Sequence, residues 1–194
     1  MMPVEIEAKM RLDDEPAMIA LLRQRGAVRV GDFLETNTFY DTKDRSLLAN
    51  DSGLRLRIAK DLNTGQERYI ITHKGPNHVG LLKMREETEL EVASATDAEQ
   101  LLNQLGFMRR LRFQKRRHSW TLDDCQIELD RLPILGNFIE IEGPSESAVM
   151  RTRANLGLSH CPLVKKGYAT MVSRLLEDQG VTRELELVFA DGTL

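Results

Sequence analysis

The chain has 194 residues, which suffices for one domain with a substantial core and is short for two. Its 27 lysines and arginines nearly balance 30 aspartates and glutamates, so a net charge of −3 gives no general reason to expect nucleic acid or an anionic membrane as a partner. Two cysteines, Cys125 and Cys161, are too few for a disulfide framework, and the longest apolar run, residues 17–22, is far too short to cross a bilayer. These features predict a cytoplasmic protein with reduced thiols.

Most of the chain alternates between apolar and polar residues with a period of two, which is typical of β-strands. The segments with this pattern are 3–11, 27–41, 53–60, 67–74, 84–92, 108–122, 124–131 and 137–143. A turn signal, Asn63–Thr64–Gly65, separates the third segment from the fourth and indicates a hairpin. The sequence therefore predicts about eight strands.

Four segments have the apolar spacing and the end signals of helices: residues 14–25, 96–105, 145–156 and 166–178. A glycine closely follows each of them, as is common after the last turn of a helix. The chain has no internal repeat and no linker composition. We therefore expect a single domain over residues 1–180, with residues 181–194 forming a tail or an additional strand.

Charged residues at alternate positions distinguish several predicted strands, because residues two apart in a strand point to the same side. Shared faces are predicted for Glu5, Glu7 and Lys9; Arg55 and Arg57; Arg85, Glu87, Glu89 and Glu91; Lys115 and Arg117; Glu128 and Asp130; and Glu140 and Glu142. An open antiparallel sheet with one solvent-exposed face would show the same alternation. Full charges on several successive strands, with few Thr, Ser or Gln residues, favour an α+β fold in which an eight-stranded antiparallel β-barrel has a charged interior and flanking helices.

Such an interior predicts a ligand, because buried charges are costly unless they are paired or coordinate something. Carboxylates are the oxygen ligands that Mg²⁺ or Mn²⁺ prefers, and lysine and arginine neutralise phosphate oxygens. Both kinds of side chain in one cavity suit a complex of a polyphosphate with a divalent cation.

The sequence also resembles the CYTH domains, or triphosphate tunnel metalloenzymes. Glu5-Ile-Glu7-Ala-Lys9 is similar to the family's E-x-E-x-K signature. The other similar segments are Leu54-Arg55-Leu56-Arg57, Thr72-His73-Lys74-Gly75-Pro76, Arg85-Glu86-Glu87, Lys115-Arg116-Arg117, Leu129-Asp130 and Gly136 to Gly143, with Tyr168 in the last helix. The resemblance covers residues 3–178 and implies an eight-stranded tunnel, a triphosphate substrate and Mg²⁺ or Mn²⁺ as cofactor.

Carried over by position, the resemblance implies the following site. The metal ligands are Glu5, Glu7, Glu140 and Glu142, with Asp130 nearby, and the phosphate ligands are Lys9, Arg55, Arg57, Lys74, Arg85 and Arg117, with Lys115 in addition. Glu7 and Lys9 are the predicted catalytic residues. Only one of the adjacent residues Arg116 and Arg117 can point inward. Arg117 is two residues from Lys115 and shares its face of the strand, so Arg117 is the predicted interior residue. Glu128 matches no position of the family's motifs and is left out of the prediction.

Three functions fit such a cavity. Hydrolysis of a triphosphate, organic or inorganic, requires an activated water in line with a phosphoanhydride. Adenylyl cyclisation requires the ribose 3′-hydroxyl at the α-phosphorus, and the segment 35–41 together with Thr72 to Pro76 is most similar to class IV adenylyl cyclases. A non-catalytic polyphosphate or nucleotide sensor would not need the acidic side. We expect a triphosphatase, because water is always available whereas cyclisation needs exact ribose orientation. Its substrate is expected to be a small molecule, and the protein is expected to be a monomer or a homodimer.

Overall fold

The structure, a computed structural model, describes residues 4–78, 80–181 and 185–190 of the chain. Within these ranges the strands are β1 (Val4–Arg11), β2 (Val28–Asp41), β3 (Gly53–Asp61), β4 (Glu67–Lys74), β5 (Lys83–Val92), β6 (Met108–Leu122), β7 (Cys125–Leu132), β8 (Gly136–Glu142) and β9 (Leu185–Leu187). The helices are α1 (Glu15–Gln24), α2 (Ser46–Ala49), α3 (Ala95–Gln104), α4 (Glu146–Asn155) and α5 (Tyr168–Asp178). No helix in the described ranges is long and apolar enough to cross a membrane.

Eight antiparallel strands form a closed barrel. The strand order is β2-β3-β4-β5-β1-β8-β7-β6, and β6 also pairs with β2, which joins the two ends of the sheet. The predicted α+β fold with an eight-stranded antiparallel β-barrel is therefore confirmed. Because side chains alternate along each strand, every strand contributes one face to the interior and one to the exterior.

The first strand lies between β5 and β8, and its register assembles residues that are far apart in the sequence. Glu7 lies opposite Lys83 on β5 and opposite Glu142 on β8. Lys9 lies opposite Glu140. The acidic and basic positions of three strands therefore meet on the inner face of the barrel.

The outer faces of β1, β7 and β8 form the largest core. Met10, Ile127, Ile139 and Ile141 are fully buried there against α1 and α4. Both helices begin at side-chain caps: Asp14 accepts a hydrogen bond from the Ala17 amide at 2.9 Å, and Ser145 caps α4 in the same way. A smaller core beneath α3 contains Leu54 and Leu56 from the outer face of β3. Ser94 caps α3, which begins at Ala95, one residue before the predicted start.

The last helix packs differently from α1, α3 and α4. In α5, Tyr168, Val172 and Leu176 pack against Leu111, Phe113, Leu132 and Phe138. Those four strand residues have the same parity as Lys115, Asp130 and Glu140, so they lie on the inner side of their strands. The helix α5 therefore covers one end of the tunnel, whereas α1, α3 and α4 pack on the outer faces of the strands.

Two short elements were not resolved by the sequence patterns. The one-turn helix α2 follows Asp41, whose carboxylate accepts hydrogen bonds from the amides of Leu47 and Leu48, both at 3.0 Å. In the predicted tail, β9 pairs in parallel with residues 111–113 of β6. Residues 182–184 and 191–194 of that tail lie outside the described residues.

Candidate active site in the barrel interior

The inner faces of the strands enclose a cavity of about 1320 Å³. All the predicted site residues except Asp130 line it, namely Glu5, Glu7, Lys9, Arg55, Arg57, Lys74, Arg85, Lys115, Arg117, Glu140 and Glu142. Asp130 lies directly behind the lining, and its side chain is fully buried. The structure thus brings the predicted residues together in one tunnel.

Five charged groups form a network of ion pairs in the middle of the tunnel. Lys115 Nζ lies 2.9 Å from Asp130 Oδ2. Arg117 donates to both carboxylate oxygens of Asp130, each at 2.7 Å. Glu35 completes the network, with its oxygens 3.2 Å from Arg57 Nη1 and 3.4 Å from Lys115 Nζ. Although burial opposes the shift, the guanidinium of Arg57 and the other cations around Glu35 hold the pKa of this carboxyl well below its ordinary value.

Lys9 connects this network to the acidic residues of β1 and β8. Its Nζ lies 3.0 Å from Glu140 Oε1 and 3.3 Å from Glu7 Oε1. Burial alone would lower the pKa of Lys9, but the carboxylates of Glu140 and Glu7 raise it above its ordinary value. Lys9 therefore stays charged although it is buried.

Carboxylates exceed cations on the β1–β5–β8 side of the tunnel. Lys74 Nζ contacts Glu5 and Glu87 at 2.9 and 2.8 Å, and Lys83 Nζ contacts Glu7 at 3.1 Å. Glu142 has no ion pair with any described residue. Burial, together with the Glu5 carboxylate, raises the pKa of Glu142 to about 7. This side of the tunnel therefore has an unneutralised acidic group.

The predicted metal ligands do not form a preformed cluster. Among the described residues, no three His, Cys, Asp or Glu side chains converge closely enough to hold a metal ion. Glu5, Glu7 and Glu140 each contact a lysine or arginine instead. Asp130 on β7 lies opposite Phe138 on β8, and Phe138 precedes Glu140 by two residues and Glu142 by four. Its predicted place beside the metal would require it to leave Lys115 and Arg117.

Two predicted phosphate ligands lie apart from the central network. Arg85 lines the tunnel but donates from Nε to Asn77 Oδ1 at 3.1 Å, and its Nη2 lies 3.7 Å from Asp51 in the turn after α2. Arg55 donates to Thr72 Oγ1 at 2.8 Å and to Glu89 at 3.3 Å. Their predicted role in phosphate binding would require both arginines to exchange these partners for phosphate oxygens.

The two adjacent arginines of β6 point to opposite sides of the strand, in the directions that strand parity predicted. Arg117 points into the tunnel, where Nη2 lies 2.7 Å from Glu140 Oε2. Arg116 points outward, and its guanidinium lies 5.1 Å from the centre of the Phe189 ring. Strand parity alone therefore separated an interior arginine from an exterior one.

Sequence reasoning missed several residues that line the tunnel. Glu35 shares its face with Phe33, Asn37 and Phe39, so no run of charges identified it. Lys83 has the parity of Arg85, but the predicted strand began at residue 84, one residue too late to include it. Glu128 was left out, although it lies opposite Glu140 and its carboxylate accepts a hydrogen bond from Ser119 at 2.5 Å. Extending the fifth predicted strand by one residue would have found Lys83, whereas Glu35 already lay within the second predicted strand and was missed because the nearest residues on its face there are uncharged.

Comparisons with known proteins agree with this architecture. The chain is 27% identical over 139 residues to the putative adenylate cyclase MJ0240 of Methanocaldococcus jannaschii, covering 72% of this chain and 76% of that one. It is 26% identical over 185 residues to the adenylate cyclase CyaB of Aeromonas hydrophila, covering 89% and 90% of the two chains. The solved structure of the PH1819 protein of Pyrococcus horikoshii is similar, with a TM-score of 0.76 at 25% identity, over 88% of this chain and 99% of that one.

The family assignment depends on a longer match than any single motif. Residues 3–150 match the CYTH domain, and this range contains every predicted site residue. The matched segment includes all eight strands of the closed barrel. The chain therefore belongs to the CYTH domain family.

Proposed function

We propose that this protein is a metal-dependent enzyme that hydrolyses a triphosphate held in the barrel. The observation that carries the proposal is the composition of the cavity, in which a basic set lies beside an acidic set that it does not fully neutralise. Glu142 is the clearest member of the acidic set, because it has no cationic partner among the described residues and its pKa is raised to about 7. A cation brought in with the substrate would relieve this repulsion.

The basic set suits the phosphates of the substrate. Lys9, Arg57, Lys115 and Arg117 come from three different strands and surround the middle of the tunnel. Charge-assisted hydrogen bonds from lysine and arginine to phosphate oxygens are among the strongest in proteins. Several such groups along a tunnel favour a chain of phosphates over a single phosphate. Asp130 would then hold Lys115 and Arg117 in position for the substrate, although its predicted role was metal binding.

The acidic set suits a hard divalent cation. Glu5, Glu7, Glu140 and Glu142 offer carboxylate oxygens, and Mg²⁺ is typically held by one or two carboxylates together with substrate phosphates. Three converging protein ligands are therefore not required before the substrate binds. When bound, Mg²⁺ or Mn²⁺ would polarise the phosphoryl oxygens and lower the pKa of an attached water.

The predicted catalytic residues have separate roles in this proposal. Lys9 lies between Glu7 and Glu140, so it can donate to a phosphate oxygen while the two carboxylates keep it protonated. Glu7 contacts both Lys9 and Lys83 and would exchange these partners for the cation. Hydrolysis needs only a water in line with the phosphoanhydride bond that breaks.

Adenylyl cyclisation is the second candidate, and two observations favour it. Both named sequence relatives are described as adenylate cyclases, one of them as putative. The cavity of about 1320 Å³ exceeds what a triphosphate alone fills, and Phe33, Ala59 and Ile70 give it an apolar wall. Cyclisation would use the same phosphate and metal groups with a ribose hydroxyl as the nucleophile.

One experiment separates these candidates. The purified protein is incubated with ATP, thiamine triphosphate or tripolyphosphate and Mg²⁺ or Mn²⁺, with EDTA in parallel reactions, and the products are identified by mass spectrometry. Orthophosphate release that EDTA abolishes supports a triphosphatase. Formation of cyclic AMP and pyrophosphate from ATP would show that the protein is an adenylyl cyclase rather than a triphosphatase. Binding of a triphosphate without any turnover would indicate a non-catalytic sensor.

A further inference from the structure

Two uncharged side chains of the tunnel have buried donors without a hydrogen-bond partner in the parts of the chain that the structure describes. They are the hydroxyl of Tyr168, at the first turn of α5, and the side-chain Nδ2 of Asn37 on β2. Tyr168 is 8% exposed and Asn37 is 1% exposed, and both line the cavity. A buried polar group without a partner lowers stability, so such groups are uncommon in folded proteins and call for an explanation.

Tyr168 lies against the basic set. Its ring centre is 4.1 Å from Lys9 Nζ and 5.1 Å from Lys115 Nζ, so two predicted phosphate ligands pack on the same aromatic ring. The ring also packs edge-on against Phe138, at 5.4 Å between centroids. These contacts fix the ring, whereas none of them involves the hydroxyl.

Asn37 lies on the same part of the inner surface. Its Oδ1 accepts a hydrogen bond from Arg57 Nε at 3.1 Å, and an arginine nitrogen can only donate. The arginine therefore fixes the orientation of the amide and leaves Nδ2 as the free donor. Asn37 lies opposite Phe113, which belongs to the apolar cluster that contains Tyr168.

We propose that the Tyr168 hydroxyl and the Asn37 amide bind the triphosphate directly, by donating hydrogen bonds to non-bridging phosphate oxygens at the end of the tunnel covered by α5. The proposal rests on the proposed function, since it needs a phosphate chain between Lys9, Lys115 and Arg57. Phosphate oxygens only accept hydrogen bonds, so they match two donors that have no acceptor. Burial and the nearby Asp130 carboxylate raise the pKa of Tyr168, which keeps its proton available.

The hydroxyl is tested by Tyr168→Phe, which keeps the ring contacts with both lysines. Binding of a tripolyphosphate analogue with methylene bridges, which cannot be hydrolysed, is measured by calorimetry with Mg²⁺, and the melting temperature of the ligand-free protein is recorded. We expect affinity to fall on the order of 10- to 100-fold, as for loss of a hydrogen bond to a charged group. The melting temperature should stay the same or rise, because an unsatisfied buried group has been removed.

Tyr69→Phe is the matched control. Tyr69 is on the outer face of β4 and donates to Glu67 at 3.0 Å, so its loss should leave affinity unchanged. Asn37→Asp tests the second donor, because it keeps an oxygen for Arg57 and replaces the NH₂ group with an acceptor. It should also weaken binding at least 10-fold.

The outcomes separate this inference from the proposed function. If the wild-type protein binds the analogue and Tyr168→Phe binds it equally well, the hydroxyl is not a ligand. A fall in the melting temperature of Tyr168→Phe with unchanged affinity would make the hydroxyl structural and would also overturn the inference. Unchanged affinity in Asn37→Asp would remove Asn37 from the site. If the wild-type protein binds no analogue, the proposed function itself fails, and the inference fails with it.

Discussion

The inner and outer surfaces of the same strands differ in chemistry: the inner side chains are mostly charged and the outer ones are mostly apolar. On β1, Glu7 and Lys9 point into the tunnel, whereas Ala8 and Met10 point outward and are 1% and 0% exposed. On β8, Glu140 faces the tunnel and Ile141 lies in the core beneath α1 and α4. One residue of offset therefore separates a charged interior from an apolar exterior.

The two surfaces contribute differently to stability. Burial of the outer residues is favourable in proportion to apolar area, and their packing tolerates little loss of volume. The inner charges gain little net stability, because the penalty of removing them from water offsets much of their mutual attraction. Stability should therefore depend mainly on the outer surface, and binding and turnover on the inner one.

The largest effect should come from the inner surface, in Glu7→Gln. This change keeps the shape of the side chain but removes the charge offered to the cation, so turnover should fall about 100-fold or more, since metal contacts are worth several kcal/mol of the barrier. Turnover is measured with the triphosphate that the wild-type protein hydrolyses fastest. Folding should survive, because Lys9 keeps Glu140 as a partner.

The control for Glu7→Gln is Glu86→Gln on the exposed outer side of β5. It makes the same chemical change and should leave turnover close to that of the wild-type protein. Full activity of Glu7→Gln would remove Glu7 from the catalytic set. An unfolded variant would assign the residue to the stability of the barrel and break the contrast between the two surfaces.

Ile141→Ala should give the opposite result on the outer surface. Ile141 is fully buried, so its truncation should lower the free energy of unfolding by about 2–5 kcal/mol through a core cavity. The folded fraction should still bind triphosphate as the wild-type protein does. Urea denaturation and calorimetry on the same sample measure both quantities. Leu90→Ala, at an outer position of β5 that is 61% exposed, should change stability by less than about 0.5 kcal/mol.

The strand faces were predictable from the sequence because a period of two is a local property. Alternation alone assigned Arg117 to the tunnel and Arg116 to the outside, and the structure agrees. The closed barrel followed from the number of strands with one charged face. The direct ligand roles of these residues stay predictions, since position inside the tunnel does not show what each side chain binds.

The features that the sequence did not predict depend on contacts between distant elements. The position of α5 at the tunnel end is set by packing of Tyr168 on Phe138, thirty residues earlier in the chain, and nothing in the helix's own pattern specifies it. The pairing of Asp130 with Lys115 and Arg117 rather than with the acidic set depends on the register between β6, β7 and β8. The raised pKa of Glu142 likewise depends on where β1 places Glu5.

The charges on the inner surface are not fully paired at Glu142, and the variant Glu142→Gln tests this point. Burial, together with Glu5, raises the pKa of Glu142 from an ordinary value of 4.5 to about 7. Between these two pH values the folded protein holds a proton that the unfolded chain has released. The stability that this proton provides is therefore complete below pH 4.5 and is lost as the pH rises to 7.

Glutamine cannot ionise, so the variant should lack this loss. Above pH 7 the ligand-free variant should be more stable than the wild-type protein by up to about 3 kcal/mol, whereas below pH 4.5 the two should be similar. Urea denaturation at a series of pH values measures the difference, with Glu86→Gln as the control that shows none. With Mg²⁺ and a triphosphate bound, the wild-type protein should become the more stable of the two, because its carboxylate then gains a cation and the glutamine of the variant does not. Equal pH profiles for the two proteins would mean that Glu142 is already neutralised, and the acidic side of the tunnel would no longer require a metal.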